Sequence, residues 1–369
     1  MLVLKVANPV ILMVMRIFSL FIFILTILSA FGGRVNPDYL TVPSLLCLFL
    51  PYLSILTFLL TLFWAFCRKI IFTAIGVVTI FLCLGPIGDV FPMGHSSKPH
   101  EGEETFTILA WNILHTNDIA QPDYPGNRAI EYLVNSDADI ICLTELYGLQ
   151  THETKKADPA MIDTLLARYP YHPSPSSDIT FLSKYPAKRT GYSYYSEDGT
   201  HRFDLYRVNF PGNKEVIVGM VHLQSYGLTE NEREVVTEIK SVNTAKKSLK
   251  EMKGSIMSKM RTAFRIRAEQ ATILREVLDD LNTSIPVIIC GDFNDVPASW
   301  TYNAIRGDDM KDAYIATNFG PAITYNLHMF YFRIDQMFYR GDIKAIDLTI
   351  GKINTSDHFP LIGEFAFTN

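Results

Sequence analysis

The chain has 369 residues, 48% of them hydrophobic, and a mean hydropathy of +0.14. That length exceeds one average domain, and the apolar content is high for a chain that meets only water. Residues 1–100 carry six Lys/Arg and two Asp/Glu, a net of +4, which leaves −9 of the overall −5 on the other 269. A part so acidic is a poor nonspecific nucleic-acid binder, because that mode rests on many cation–phosphate contacts.

The apolar residues gather at the N-terminus. Three runs, at about 10–31, 45–66 and 70–91, approach the ~20 apolar residues that cross a bilayer core, and predict a membrane region of three transmembrane helices over residues 1–91. The third is interrupted by Gly85 and Pro86. A cleaved signal peptide is the competing reading of the first run, since Lys5 precedes it and Ala30 and Gly32 are small; two further runs and the lack of an A-x-A site weigh against it. Arg16 inside the first run reads as a snorkelling side chain. Lys5, Arg16 and the Arg68-Lys69 hairpin place the N-terminus in the cytoplasm. Three spans then leave everything after Phe91 outside it, as in a multi-pass inner (plasma) membrane protein with a periplasmic domain.

Residues 92–104 are polar with Gly and Pro and read as a linker. From Thr105 onward short β-rich runs follow at 106–111, 139–143, 179–182, 205–210, 216–221, 287–290, 334–339 and 361–367, with helical patterns at 127–136 and 159–169. The mixture predicts one α/β (α+β) domain over 105–369, a two-layer β-sandwich with flanking helices. Glu230–Leu281 is the one long helical pattern, with Gly254-Ser255 a candidate break. From Lys240 to Arg267 it holds nine Lys/Arg against Glu251 alone. This basic helical insertion, at about 230–267, is either a solvated face or an arm for anionic lipid or a polyanionic substrate. The five cysteines lie in apolar runs or at their edges and read as small buried hydrophobes, not a disulfide framework.

Polar residues recur where these strands end. Trp111-Asn112 follows FTILA, Thr144-Glu145 follows DIICL, His222 follows IVGMV, Asp292, Asn294 and Asp295 follow VIICG, and Ser356-Asp357-His358 precedes the last strand. Singly each has a bland explanation: a solvated Glu, a hydrogen-bonded His, an Asn capping a turn. As an ordered series they aim carboxylates, amides and imidazoles from one end of a rigid scaffold.

The series resembles the endonuclease/exonuclease/phosphatase superfamily, with its DNase I-like fold, over about residues 105–367. The matching motifs are WN (Trp111, Asn112), TE (Thr144, Glu145), ITFLSKYP (Ser183, Pro186), VHLQS (His222), GDFND (Gly291–Asp295), RID (Arg333–Asp335) and SDH (Ser356–His358). Apolar spans before such a domain look like a membrane-anchored bacterial subgroup. Two departures are Thr144, where the family often has Gln, and the basic helical insertion.

The resemblance implies hydrolysis of a phosphate ester with Mg²⁺ or Mn²⁺, hard cations that take oxygen ligands. Glu145 would be the principal metal carboxylate, with Asn112 and Asp357 near the same ion. Asp292 would position or deprotonate the attacking water, and Asn294 would hold Asp292 and donate to the phosphoryl oxygen. His358 would meet the phosphate as base or cation, Asp335 would orient it, and His222 would be a second phosphate contact or leaving-group acid. Asp295 reads as structural support, and Gly291 as permitting a turn. The expected substrate is a phosphodiester, either nucleic acid or a phospholipid headgroup, with a phosphomonoester or a non-catalytic phosphate-binding domain as alternatives. No Cys/His cluster with zinc spacing competes.

Overall fold

The strand Thr105–Asn112 (β1) shows in the computed structural model how the domain is layered: Phe106, Ile108 and Ala110 point into one core, Leu109 and Trp111 into another. Side chains alternate along a strand, so a run apolar at every position must bury both faces. Ile140–Thr144 (β2) and Ile179–Ser183 (β3) continue this pattern. The structure describes residues 9–149, 154, 157–173, 178–196, 199–229, 246–281, 284–327 and 330–368.

Two mixed sheets result. One runs β12-β13-β1-β2-β3, with β12 at Ile343–Ile350 and β13 at Leu361–Phe367. The other runs β4-β5-β6-β7-β11-β8, from Ala187–Tyr195 (β4), Arg202–Phe210 (β5), Lys214–His222 (β6), Val287–Asp292 (β7), Lys311–Asp312 (β8) and Asp335–Arg340 (β11). Tyr325–Leu327 (β9) and Phe330–Phe332 (β10) form a separate hairpin. The sheets close on a shared core in which Phe181 stacks on Tyr206 at 4.1 Å and Cys142 and Cys290 are buried as free thiols. The β-sandwich with outer helices is as expected. The edge strands β4 and β12 are additions: β4 has no buried residue, so its sequence lacks a strand's apolar alternation.

Helices cover the outer faces. Arg128–Asn135 and Pro159–Arg168 lie on the first sheet, each started by a side-chain cap, Asn127 and Asp158. The helix Lys246–Asp280 lies on the second through Ala271, Leu274 and Leu278. It runs through Gly254-Ser255 without a break, a correction to the two-helix reading. Residues 230–245 of the expected insertion, and the side chains of its Lys246–Lys253 cluster, lie outside the described residues.

The N-terminal region departs from three continuous spans. Among the described residues, Pro9–Gly32 alone is long and apolar enough to cross a bilayer by itself. The second run divides at Leu48-Phe49 into Val42–Cys47 and Leu50–Phe66, where Pro51 sits in the first turn of the new helix and starts it. The third bends by 66° between Ile70–Leu82 and Leu84–Val90, beside Gly85 and Pro86. The long helices turn polar groups inward: Thr26 and Thr57 hydroxyls meet at 2.7 Å, and Trp64 Nε1 donates to Ser19 Oγ at 2.8 Å. Val14, Phe21, Ile55, Phe58 and Phe81 are each at least half exposed.

These helices are seated on the β-sandwich domain. Cys47 and Leu48 share a buried cluster with Phe264, Val296 and Ile334. Arg306 binds Asp89 at 2.7 Å, Arg265 binds Asp38 at 3.1 Å, and Arg333 donates to Asp89 O at 3.3 Å. The expected linker is also tied down, with Met93 bridging Phe319 and Ser97 N donating to Ile346 O.

Candidate active site

Strand direction gathers the site. β1 is parallel to β2 and β6 is parallel to β7, with Asn112 level with Thr144 and His222 level with Asp292. Antiparallel β11 begins where β7 ends, with Asp335 level with Asp292. Asn112, Glu145, His222, Asp292 and Asp335 therefore emerge at one edge of the sandwich. The loop before β13 delivers His358, fixed by Trp111 Nε1 to its carbonyl at 2.9 Å and by Ser356 Oγ accepting from its amide at 3.1 Å.

Asp292 is the centre. Its Oδ1 accepts from Asn294 N at 2.8 Å, and its Oδ2 accepts from Asn112 Nδ2 at 3.1 Å and Asn294 Nδ2 at 3.2 Å. Two imidazoles face that same Oδ2, His358 Nε2 at 3.6 Å and His222 Nε2 at 4.0 Å. Each is oriented by a carboxylate on its other nitrogen: Asp335 Oδ2 lies 2.8 Å from His358 Nδ1, and Asp178 binds His222 Nδ1. An aspartate so placed selects the tautomer with Nε2 aimed into the site. His222 Nε2 is buried and has no hydrogen-bond partner among the described residues.

The charges follow from burial and neighbours. Burial pushes the Asp292 carboxyl up, to about 6, against the pull of His358. Burial opposes charge on both imidazoles, yet the surrounding carboxylates raise His222 to about 9 and His358 well above the ordinary histidine value. At neutral pH the site thus presents a carboxylate between two imidazolium donors. Glu145 is pushed up by burial but held below the ordinary value by His222, Asn112 and His358.

The sequence-derived residues converge, with one at a remove. Asn112 Nδ2 donates to Glu145 Oε1 at 2.9 Å, and Glu145 keeps 24% of its side chain exposed. Asp357 is linked to this pair through Ser356, whose hydroxyl donates to Asn112 O at 2.7 Å and contacts Asp357 Oδ1 at 3.4 Å. The ionised Glu145 carboxylate, open to solvent on one side, suits a hard divalent cation in kind; Asn112 turns its Nδ2 toward it, while its Oδ1 accepts from Leu114 N at 3.2 Å. Asp292, Asp335 and His358 also offer three atoms within 4.8 Å of one another. Two of those groups are already engaged with each other in the Asp335–His358 hydrogen bond.

Two details correct or extend the sequence reading. Gly291 does not make a turn: it lies inside β7 with φ +133°, and a Cβ there would stand 2.1 Å from Val221 O. Glu145 and Asn294 hold positive φ, +55° and +52°, a region that Asn tolerates and a Glu rarely adopts. Sequence reasoning passed over Asp178, and also His115, whose Nε2 is 4.0 Å from Glu145 Oε2. Asp178 immediately precedes β3, which pairs antiparallel with β2, and that adjacency to Glu145 was the available signal. Asp295 Oδ2 lies 3.5 Å from the buried Arg267 Nε.

A model of the Endonuclease/Exonuclease/phosphatase family matches residues 109–358. The chain belongs to that family. Residues 11–90 match a Domain of unknown function (DUF8431). Among solved structures, this family member is similar to truncated TDP2 from Caenorhabditis elegans, at 17% identity and TM-score 0.48, over 71% of this chain and 98% of that one. It is similar to a family protein from Bacteroides thetaiotaomicron at 15% identity and TM-score 0.48, covering 72% and 98%. The human Nocturnin catalytic domain with a bound sulfate anion matches at 16% identity and TM-score 0.47, covering 72% and 98%. A search of curated proteins finds no match.

Proposed function

We propose that this family member is a membrane-held, divalent-cation-dependent phosphoesterase acting on a phosphodiester. The observation that carries the chemistry is Asp292 flanked by two aspartate-oriented imidazoles, beside the Glu145–Asn112 pair. Asp292, ionised near neutrality, accepts the proton of the attacking water; His358, being cationic there, holds a phosphoryl oxygen instead. Water oxygen bonds to phosphorus, the bond from phosphorus to the leaving oxygen breaks, and His222 Nε2–H supplies the proton that oxygen takes up. Asn112 and Asn294 keep Asp292 aimed through the hydrogen bonds given above. Mg²⁺ or Mn²⁺ held by Glu145, with Asn112 and Asp357 near it, would supply charge neutralisation at the phosphate.

Membrane attachment is supported by the inverted polarity of the N-terminal helices, hydroxyls and an indole N–H inside and large apolar side chains outside. An exposed apolar surface of that extent is foreign to a water-facing monomer. The segments nearest the catalytic domain are Gly33 to Leu48 and Asp89, while the Arg68-Lys69 turn lies at the other ends of the helices it joins. Arg16 reaches Phe72 near that turn. This up-down-up arrangement supports an N-terminus and basic turn in the cytoplasm and the catalytic domain on the opposite side.

The test is hydrolysis of bis(p-nitrophenyl) phosphate by the full-length protein with Mg²⁺ or Mn²⁺, with Asp292→Asn as blank. Cation-dependent release of p-nitrophenol that the blank lacks is the expected result. Equal rates in both proteins would favour the non-catalytic phosphate-binding reading.

A further inference from the structure

A cavity of about 230 Å³ opens where the N-terminal helices meet the catalytic domain. One wall is Leu50–Phe66 and the turn before it, through Cys47, Leu48, Tyr52 and Ile55; the opposite wall is Val296-Pro297, Pro321 to Ile323, and Phe332-Arg333. Its lining holds one charged side chain, Arg333, which is already spent in a two-point ion pair with Asp312 at 3.1 and 2.8 Å. The interior therefore offers apolar contact without a free charge, which is wrong for a nucleic acid. Small-molecule sites generally run to ~300–1,000 Å³, so this one is sized for a slim occupant.

Two further observations say what enters. The rim is half open on the helix side, with Tyr52 55% and Ile55 50% exposed, in line with the outward apolar face of Phe49, Phe58 and Leu59. The inner wall is one side-chain layer from the catalytic imidazole. Val296 and Phe332 line the cavity and share a packed cluster with Tyr325, whose ring meets the His358 ring edge-on at 5.0 Å. The segment from Ala322 to Tyr325 thus borders the cavity at one end and His358 at the other. Its Thr324 Oγ1 accepts from the amides of Ile334 and Asp335, which ties it to the residue that orients His358.

From this geometry we infer that the cavity is an acyl-chain site, and that it takes one hydrocarbon tail of the amphiphilic phosphate ester hydrolysed at Asp292. The tail enters sideways from the bilayer past Tyr52 and Ile55, and the phosphate end lies along 322–325 toward His358. This inference rests on the membrane-held phosphodiesterase reading and adds the substrate class, a lipid.

The experiment uses full-length protein in amphipol and a series of p-nitrophenyl alkyl phosphodiesters, methyl to octyl, kept below their micelle concentrations. Each methylene that enters an apolar site multiplies kcat/KM by about threefold to fourfold. The wild type should climb along the series, and Ala322→Trp should lower the octyl-to-methyl ratio of kcat/KM at least tenfold. Ile55→Trp fills the same cavity from the helix side, away from the 322–325 segment, and should lower that ratio alike; a ratio is unmoved by a folding defect that costs both substrates equally. A flat wild-type series with clear turnover would overturn the acyl-chain site and leave the phosphodiesterase standing. If no member is turned over, the chemistry fails separately, and photolabelling with an alkyl phosphate bearing a terminal diazirine decides the site. Labels at 51–55 and 321–332 that Ala322→Trp abolishes would support it; labels that ignore the substitution would sink it.

Discussion

Asp292 and its two flanking imidazoles set the pH behaviour at the scale of single residues. Because the Asp292 carboxyl titrates at about 6, hydrolysis should fall tenfold per unit as pH drops below 6, in a kcat profile taken at saturating cation. Asp335→Asn leaves His358 without the anion that fixes its tautomer and charge, so kcat should fall by about 10²–10⁴. Wild-type kcat in that variant would remove His358 from the chemistry. His222 is raised from 6.5 to about 9, so the folded state holds its proton more tightly than the unfolded chain. Its stabilisation is complete below pH 6.5 and is lost as pH rises through 9, at up to ~1.4 kcal/mol per pH unit. Urea midpoints of the EDTA-treated chain across that window measure it, and His222→Gln should flatten the slope.

At the scale of elements, the two parallel strand pairs do the positioning, and Gly291 lets one of them form. A methyl group at 291 would meet Val221 O at 2.1 Å on a backbone with φ +133°. Gly291→Ala should therefore cost about 2 kcal/mol or more and spread His222 from Asp292, lowering both the melting temperature and kcat. An unchanged melting temperature would show that β6 and β7 can separate freely. The long helix matters in the same way. Its Arg267 is fully buried, donates to Gln224 O at 2.7 Å and lies 3.5 Å from Asp295. One side chain of the helix thus braces the loops after His222 and after Asp292. What read in sequence as a basic arm is, at this position, internal bracing; Lys259 meanwhile donates to Gly227 O at 3.1 Å.

At the scale of the whole molecule, the N-terminal helices and the β-sandwich domain share a core, with Cys47 and Leu48 against Phe264, Val296 and Ile334. A chain cut after residue 100 would expose that cluster, so the isolated domain should melt lower than the full-length protein in calorimetry; equal melting temperatures would make the seat dispensable. The membrane reading has its own check. Cys67 stands at the Arg68-Lys69 turn, and in intact cells it should resist a membrane-impermeant maleimide and react after permeabilisation.

The site residues were legible in the sequence because each sits at the end of a strand whose apolar run announces it, as in VIICGDFND and DIICLTE. The strands of both inner layers were legible for the same reason, burial on two faces leaving unbroken hydrophobic runs. Edge strand β4 was not, since none of its residues is fully buried and its Ala187, Tyr192 and Tyr194 pack only in part. Asp178 escaped because nothing local ties it to His222, 44 residues away; only the packing of the sheet that holds β3 against the sheet that holds β6 brings the two together. The apolar N-terminal runs were determined by composition alone, but their division into helices at Leu48-Phe49 and at Cys83 came from proline placement and packing. The sequence by itself determined which residue types the chain carries to its strand ends and which stretches shun water. The tertiary structure alone decided that Asp292 lies between two oriented imidazoles and that a cavity joins helix to catalytic loop, because distances between remote segments depend on sheet register and packing, which no local pattern encodes.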